Sequence, residues 1–257
     1  MRDASPSTIT ATAELAVAGR KLAVRLTVPT RPTRPRELLP LYRALAESFV
    51  AAGVANARDE GRTVSCRKGC GACCRQLVPI SELEARRIAE VVEEMPEPRR
   101  SEVRTRFAAA RERLDELGLL ELLEHPSRIA PTEARTFGLR YFNAAVACPF
   151  LEDESCSIYE ERPIACREYL VTSPAENCAR PTLETIDCVD VPAKVSRAIR
   201  WLTADAAAPH ASWVPLILAP AWAAAHPDEI EIERSGPDLV RELFGRLSGK
   251  DIEEPVL

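Results

Sequence analysis

The stretch "CRKGCGACC", residues 66–74, places four cysteines within nine residues. Free cysteine can pack in a core as a small hydrophobe, but that role does not explain so dense a group beside the charges of Arg67, Lys68 and Arg75. The two glycines of the segment permit tight turns and leave backbone N–H groups free to face sulfur. Because thiolates are soft, anionic ligands, this stretch predicts a site for zinc or iron with the fold arranged around it.

The composition of the whole chain is that of a globular protein. Of its 257 residues, 46% are hydrophobic and 28% are charged, which excludes the disordered and fibrous classes. This length fits one sizeable core or two modest domains. The formal net charge of −5 argues against a nucleic-acid-binding protein, which usually carries a basic face.

The distribution of apolar residues predicts a cytoplasmic protein with no membrane partner. Residues 1–17 lack the continuous apolar run of a signal peptide. The longest apolar stretch, 213–225, is too short to span a bilayer and is interrupted by Pro215 and Pro220. Disulfides are rare in the cytoplasm, and the nine cysteines are an odd number that cannot pair completely within one chain.

The N-terminal segment has the pattern of a β-hairpin. Residues 9–17 and 22–28 alternate apolar with small or polar side chains, and a turn sequence lies between them. Residues 29–35, "PTRPTRP", indicate a stiff, extended connector. We therefore predict one structural unit over residues 1–35, the hairpin with its connector, and a helical unit over 36–257.

Apolar residues at helical spacing dominate the remainder. Ser81 and Glu84 form a predicted capping box that opens a helix running to about Met95. Gly118 is expected to end the helix after it. The apolar stripes of the other predicted helices cover residues 38–52, 103–117, 195–202 and 239–247. The predicted fold is mainly α, a single helical domain around a cysteine-rich metal centre with motif core 66–170, plus the small N-terminal hairpin.

A second cysteine block follows at residues 148–169, "CPFLEDESCSIYEERPIACREY", with thiols at 148, 156 and 166. Its three thiols are too widely spaced to form a comfortable site alone. The first block contains an adjacent pair, Cys73 and Cys74, whose side chains would point about 100° apart on a helix. We therefore expect residues 75–147 to be a helical excursion that brings the two blocks together at one joint site.

Two questions about this site stay open at the level of sequence. The blocks could hold separate metals, with Cys178 and Cys188 completing the second site. Arg162 and Arg167 could form surface salt bridges or could offset thiolate charge.

The motifs "CRKGCGACC", "CPFL" and "CSIYEERPIACR" together resemble the YkgJ-like cysteine-cluster family, also described as the CxxCxxCC zinc- or iron-chelating domain. The resemblance covers roughly residues 66–170. It implies zinc, iron or an iron–sulfur cluster as the cofactor and a metal ion or cluster as the partner. The first gap here is three residues, where the family name implies two, so the match is weakest at Cys66. The ligands carried over by resemblance are Cys66, Cys70, Cys73, Cys74, Cys148, Cys156 and Cys166.

The same resemblance implies alternatives beyond simple metal binding, although most of the family has no settled reaction. Flagellin lysine N-methylases are similar to it, which suggests an iron–sulfur enzyme that uses S-adenosylmethionine on a protein substrate. The spacing Cys66-x3-Cys70-x2-Cys73 also matches that of radical S-adenosylmethionine enzymes. A metal-delivery or protein-interaction module acting on a client protein is the other alternative. No catalytic residue can be named from the sequence.

Overall fold

The computed structural model describes residues 7–17, 20–182, 184–203, 213–227 and 233–248. Its helices are α1 (Leu39–Asp59), α2 (Glu82–Glu93), α3 (Arg99–Glu116), α4 (Leu120–Glu124), α5 (Ala134–Asn143), α6 (Ile164–Arg167), α7 (Val195–Ala198), α8 (Ala219–Ala225) and α9 (Gly236–Ser248). Its strands are β1 (Thr8–Val17), β2 (Arg20–Pro29), β3 (Pro32–Thr33), β4 (Pro79–Ile80), β5 (Leu151–Glu152), β6 (Ser155–Cys156), β7 (Val214–Pro215) and β8 (Arg234–Ser235). The predicted mainly α fold with an N-terminal hairpin is confirmed.

The described strands pair only in antiparallel twos. β1 pairs with β2 and β5 with β6, each as a local hairpin, whereas β3–β8 and β4–β7 join segments that are distant in sequence. The two long-range pairs contain two residues in each strand, so they act as clips between loops rather than as a sheet with its own core.

The N-terminal hairpin packs into the largest core cluster. Val24, Leu26 and Val28 of β2 are buried at alternate positions, as expected for a strand with one covered face. They join α1, α7 and α9 in that cluster. The hairpin therefore contributes to the same core as the helices, and its predicted status as a unit of its own with residues 29–35 stays a prediction. The predicted turn falls partly on residues 18–19, which lie outside the described residues.

Helix α1 is the longest described helix and the apolar centre of this cluster. By length and composition alone, the segment Pro35–Asp59 could cross a membrane, with a mean hydropathy of 1.3 in its most apolar window. Tyr42, Leu45 and Phe49 lie at helical spacing and pack against the hairpin and α9 in the core cluster. A core helix of a globular protein passes the same test, so this finding has two readings.

The predicted capping box is present at the start of α2. The Ser81 hydroxyl accepts the N–H of Glu84 at 3.2 Å, and the Glu84 carboxylate accepts the N–H of Ser81 at 3.1 Å. Gly118 ends the following helix with a φ of +62°, as its position predicted. The stripes at 38–52, 103–117, 195–202 and 239–247 correspond to α1, α3, α7 with the turn after it, and α9.

A second core cluster supports the cysteine blocks. Phe107 of α3 packs edge-on against Phe150, with ring centroids 5.3 Å apart. Cys148 and Cys156 are partly buried and pack against this cluster. The helical excursion of residues 75–147 therefore supplies the apolar surface on which the second cysteine block rests.

Glu84 connects the excursion to the helix that carries Cys166. Its carboxylate is 2% exposed, and its Oε1 accepts the N–H of Ile164, the first residue of α6, at 2.7 Å. The other carboxylate oxygen accepts both the N–H and the hydroxyl of Ser81. One buried side chain thus caps α2 and holds α6 beside it.

We expect Glu84→Ala to lower the free energy of unfolding by about 3 kcal/mol, because the buried N–H groups of Ser81 and Ile164 lose their acceptor. Urea denaturation measures this loss. Glu116→Ala is the control, since Glu116 forms an exposed ion pair with Arg113 on α3 and should change stability by about 0.5 kcal/mol or less. Equal losses in the two variants would contradict the role given to Glu84.

Candidate metal centre

The first cysteine block consists of two consecutive turns. Cys70 donates its N–H to the carbonyl of Arg67 at 3.2 Å, and Gly69 adopts a φ of +81° within that turn, as the glycine predicted. A short 3-10 turn, Ala72–Arg75, follows, in which Cys74 N–H donates to the carbonyl of Gly71 at 2.9 Å. The thiols of the block therefore lie on two adjacent turns and not along an extended strand.

The second block is built on the β5–β6 hairpin and on α6. Cys148 precedes β5, and Cys156 pairs with Leu151 across the hairpin. The two residues of the turn, Asp153 and Glu154, have φ values of +47° and +54°, as a tight two-residue hairpin turn requires. Cys166 lies on α6, whose start is fixed by Glu84.

Three contacts join the two blocks directly. The N–H of Cys148 donates to the carbonyl of Cys74 at 2.8 Å. The guanidinium of Arg75 binds both carboxylate oxygens of Glu154, at 2.7 and 3.0 Å. Gly71 lies so close to the hairpin that an added Cβ would be 2.6 Å from Oε2 of Glu154 and 2.7 Å from Cδ1 of Leu151. The φ of −92° is open to any residue, so the constraint at this position is one of space. An alanine would require the two side chains to move and the Cα of Glu154, 3.0 Å away, to shift by a few tenths of an ångström.

Five thiols from the two blocks share one neighbourhood. Burial is the main cause that raises the pKa of Cys166 well above its usual range. The charges of Cys148, Cys73 and Cys156 raise it further. Burial likewise raises the pKa of Cys148 to about 12. We call these five the inner thiols: Cys73, Cys74, Cys148, Cys156 and Cys166.

The adjacent pair Cys73 and Cys74 is asymmetric. A hydrogen bond between the two thiols is the main reason that the pKa of Cys73 falls to about 7. The same bond raises the pKa of Cys74 far above its usual range, because ionisation would remove the donor. One thiolate of the pair is therefore available near neutral pH, and thiolate is the form that binds metal.

The two arginines of the second block have different roles. Arg162 stacks on the ring of Tyr159 at 4.2 Å. Burial raises the pKa of Cys156 and the charge of Arg162 opposes that rise, and the same charge contributes to the lowered pKa of Cys73. Arg167 is buried, donates to the carbonyls of Arg162 and Glu160, and pairs with Glu47 of α1. Both arginines thus offset thiolate charge at Cys156, and Arg167 also anchors the motif to α1.

The remaining four thiols are Cys66, Cys70, Cys178 and Cys188, and the charge of Cys73 acts on two of them, Cys66 and Cys178. The sulfur of Cys66 accepts the N–H of Val171 at 3.4 Å. Cys188 pairs with the same Val171 in an isolated antiparallel bridge. Cys178 is buried on the turn Ala175–Ala179, which packs against the Ala72–Arg75 turn. Sequence spacing alone gave no reason to place Cys178 and Cys188 beside Cys66 and Cys70.

The chemistry of these side chains fits zinc or iron. All nine thiols are free, and clustered thiolates are the ligands that both metals accept. Among the described residues, however, no three His, Cys, Asp or Glu side chains already stand around a common point as metal ligands. Binding would therefore have to draw the sulfurs together, and which of the seven predicted thiols would bind stays a prediction.

We expect Gly71→Ala to lower the free energy of unfolding by about 1 to 3 kcal/mol, because its methyl group would overlap Leu151 and Glu154. Urea denaturation measures the change. Gly138→Ala on α5 is the matched control, since an added Cβ there meets nothing within 4 Å and alanine favours the helix by up to about 1 kcal/mol. A neutral Gly71 variant would show that the two blocks need no close approach.

We also expect the alkylation rate of Cys73 to follow a pKa of about 7 in the reduced protein freed of metal by a chelator. The thiolate reacts, so the rate should rise as the pH increases through this value. Cys74→Ala should move the midpoint upward, because the S–H donor is lost. Iodoacetamide labelling with mass spectrometry measures the profile, and Cys188→Ala is the control expected to leave it in place. An unshifted midpoint in Cys74→Ala would exclude the hydrogen bond as its cause.

Comparison with known proteins agrees with this geometry. Residues 65–183 match the family model described as "CxxCxxCC: Putative zinc- or iron-chelating domain". No curated protein and no solved structure matches the chain. The matched segment extends beyond the motifs to include Cys178, whereas Cys188 lies outside it. Residues 65–183 of this chain are therefore similar to the CxxCxxCC domain, as the cysteine motifs predicted.

Proposed function

We propose that this protein binds zinc or iron through its clustered cysteines and that the inner thiols form the principal site. The observation that carries the proposal is the convergence of two blocks that are distant in sequence. Cys74 and Cys148 are joined through their backbones, and Cys73, Cys156 and Cys166 lie within electrostatic range of one another. Burial and the neighbouring thiols raise the pKa of Cys156 and Cys166. A bound metal cation would lower it again by stabilising the thiolate form.

The consequence of binding for this chain is structural support. The sulfurs stand on four separate pieces of backbone: the Ala72–Arg75 turn, the segment that leads into β5, the β5–β6 hairpin and α6. A metal shared by these pieces would cross-link loops that otherwise depend on a few hydrogen bonds. Structural thiolate sites contribute on the order of 10 kcal/mol to folding. The proposed cytoplasmic location keeps the ligands reduced, since disulfides are rare there.

An iron–sulfur centre in an S-adenosylmethionine-dependent enzyme is the alternative that one observation favours. The charges of Cys70 and Cys73 both act on Cys66, so the three thiols of the Cys66-x3-Cys70-x2-Cys73 spacing are neighbours. The described strands, in contrast, form antiparallel pairs and no parallel barrel. Anaerobic purification followed by metal and acid-labile sulfide analysis separates the readings. Zinc without sulfide supports a simple thiolate site, and iron with sulfide supports a cluster.

We expect Cys74→Ser and Cys156→Ser each to lower the bound metal by the same amount, and the double variant to lower it little further, because both ligands serve one centre. Elemental analysis of anaerobically purified protein measures the content. Arg111→Glu is the control: Arg111 forms an exposed ion pair with Glu124 on the excursion and should leave the metal content unchanged. Full metal content in both cysteine variants would refute the proposal.

A further inference from the structure

A cavity beside the first cysteine block takes no part in the proposed metal binding. Its volume is about 270 Å³, and the described residues that line it include no cysteine. Helix α5 lines it, as do Gln76 and Leu77, which follow the Ala72–Arg75 turn. Tyr169, at the end of the second cysteine block, and Pro181 line it too. The cavity therefore adjoins both blocks without using their thiols.

Two faces of helix α5 have different surroundings. Phe137 and Tyr141 are buried in a core cluster with residues of α3 and α4. Four other residues of the helix line the cavity and recur at the i, i+3, i+4 and i+7 spacing of one helix face: Arg135, Gly138, Leu139 and Phe142. Packing of the first face in the core therefore fixes the second face at the cavity.

Gly138 leaves open space on this second face. A Cβ added there would have no described heavy atom within 4 Å outside the backbone of its own helix. Glycine destabilises a helix interior relative to alanine, and the packing of the described residues gives no reason for glycine at this position. Room for a ligand is such a reason, because a larger side chain on this face would occupy part of the cavity.

The polar groups that line the cavity can donate hydrogen bonds. Arg135 supplies positive charge, and no Asp or Glu is among the described lining residues. Its guanidinium has five N–H donors, so it can bind a ligand alongside the contact that it already makes. The Tyr169 hydroxyl accepts an Nε2–H of Gln76 at 2.9 Å, which leaves its own O–H proton to donate. The cavity thus combines apolar walls with positive charge and donors.

We propose that this cavity binds a small organic carboxylate whose body is an aromatic ring or a short alkyl chain. A carboxylate matches the paired N–H groups of one arginine, and Arg135 balances its single charge. Phosphate or sulfate would leave a second charge unpaired against Leu139 and Phe142. Ligand cavities commonly measure about 300 to 1,000 Å³, so this volume suits a molecule smaller than a nucleotide or a peptide. The site uses no thiol and is independent of the proposed metal binding.

The probes are benzoate and hexanoate, titrated into the isotope-labelled full chain and followed by two-dimensional amide NMR. Benzyl alcohol has the ring without the charge, and acetate has the charge without the apolar body. We expect benzoate and hexanoate to shift the N–H signals of α5 and of Gln76 saturably. Benzyl alcohol and acetate should each bind at least about tenfold more weakly than benzoate, because each lacks one of the two kinds of contact.

Two variants, each with a matched control, test the residues that carry the proposal. Arg135→Gln should weaken benzoate binding about 10- to 100-fold, because a charged hydrogen-bond donor is lost. Its control is Arg140→Gln, since Arg140 is an exposed residue of α5 that does not line this cavity. Gly138→Leu should abolish binding by filling the cavity, whereas Gly138→Ala should still bind benzoate. The amide spectra show whether each variant is folded.

The outcomes decide between this site and its absence. Saturable shifts at α5 that are lost in Arg135→Gln and in Gly138→Leu support it. The absence of such shifts with both carboxylates, or equal affinity for benzoate and benzyl alcohol, overturns it. Benzoate binding in Arg135→Gln that equals that in Arg140→Gln overturns it as well. Protein that binds benzoate but retains no zinc and no iron would contradict the proposed function and leave this site in place.

Discussion

The structure depends on the close approach of two loops that are far apart along the chain. The backbone of Cys148 binds that of Cys74, and Arg75 clamps Glu154 across the same contact. Position 71 has no Cβ, which leaves room for the side chains of Leu151 and Glu154 on the β5–β6 hairpin. Every inner thiol stands on one of these loops or on α6 beside them. Gly71 therefore favours this contact between the loops as well as the turn in which it lies.

The surrounding core stabilises this contact between the two loops. The entropy of closing a loop grows only logarithmically with length, so the excursion of residues 75–147 adds little to the cost of bringing its ends together. The excursion also stabilises the closed state through its own packing, because Phe107 contacts Phe150 and Glu84 binds the start of α6. The helices between the blocks therefore hold the site together as well as connecting its halves.

Several thiols lie close together, so the thiolate form of each is opposed by burial and by the charge of its neighbours. The fold offsets this repulsion only in part. Burial and mutual repulsion keep Cys148 and Cys166 protonated near neutral pH. Arg162 favours the thiolate form of Cys73 and Cys156, and the S–H of Cys74 favours that of Cys73. A bound cation would stabilise the remaining thiolates. The protein alone thus favours the thiolate form of Cys73. A bound metal would supply the positive charge that stabilises the thiolate forms of Cys148 and Cys166.

The sequence by itself determined the hairpin, the longer helices with the Ser81–Glu84 cap, and the cysteine motifs that identify residues 65–183. These features are local, because hydrophobic periodicity, turn residues and short cysteine spacings specify them within a few positions of the chain. Short helices such as α6 were not predictable, since four residues form a helix only when tertiary contacts support it. The grouping of the nine thiols was also decided by the tertiary structure. Val171 pairs with Cys188 and donates its N–H to the sulfur of Cys66, and no local pattern specifies which distant segments will pair, because that choice depends on how the cores pack.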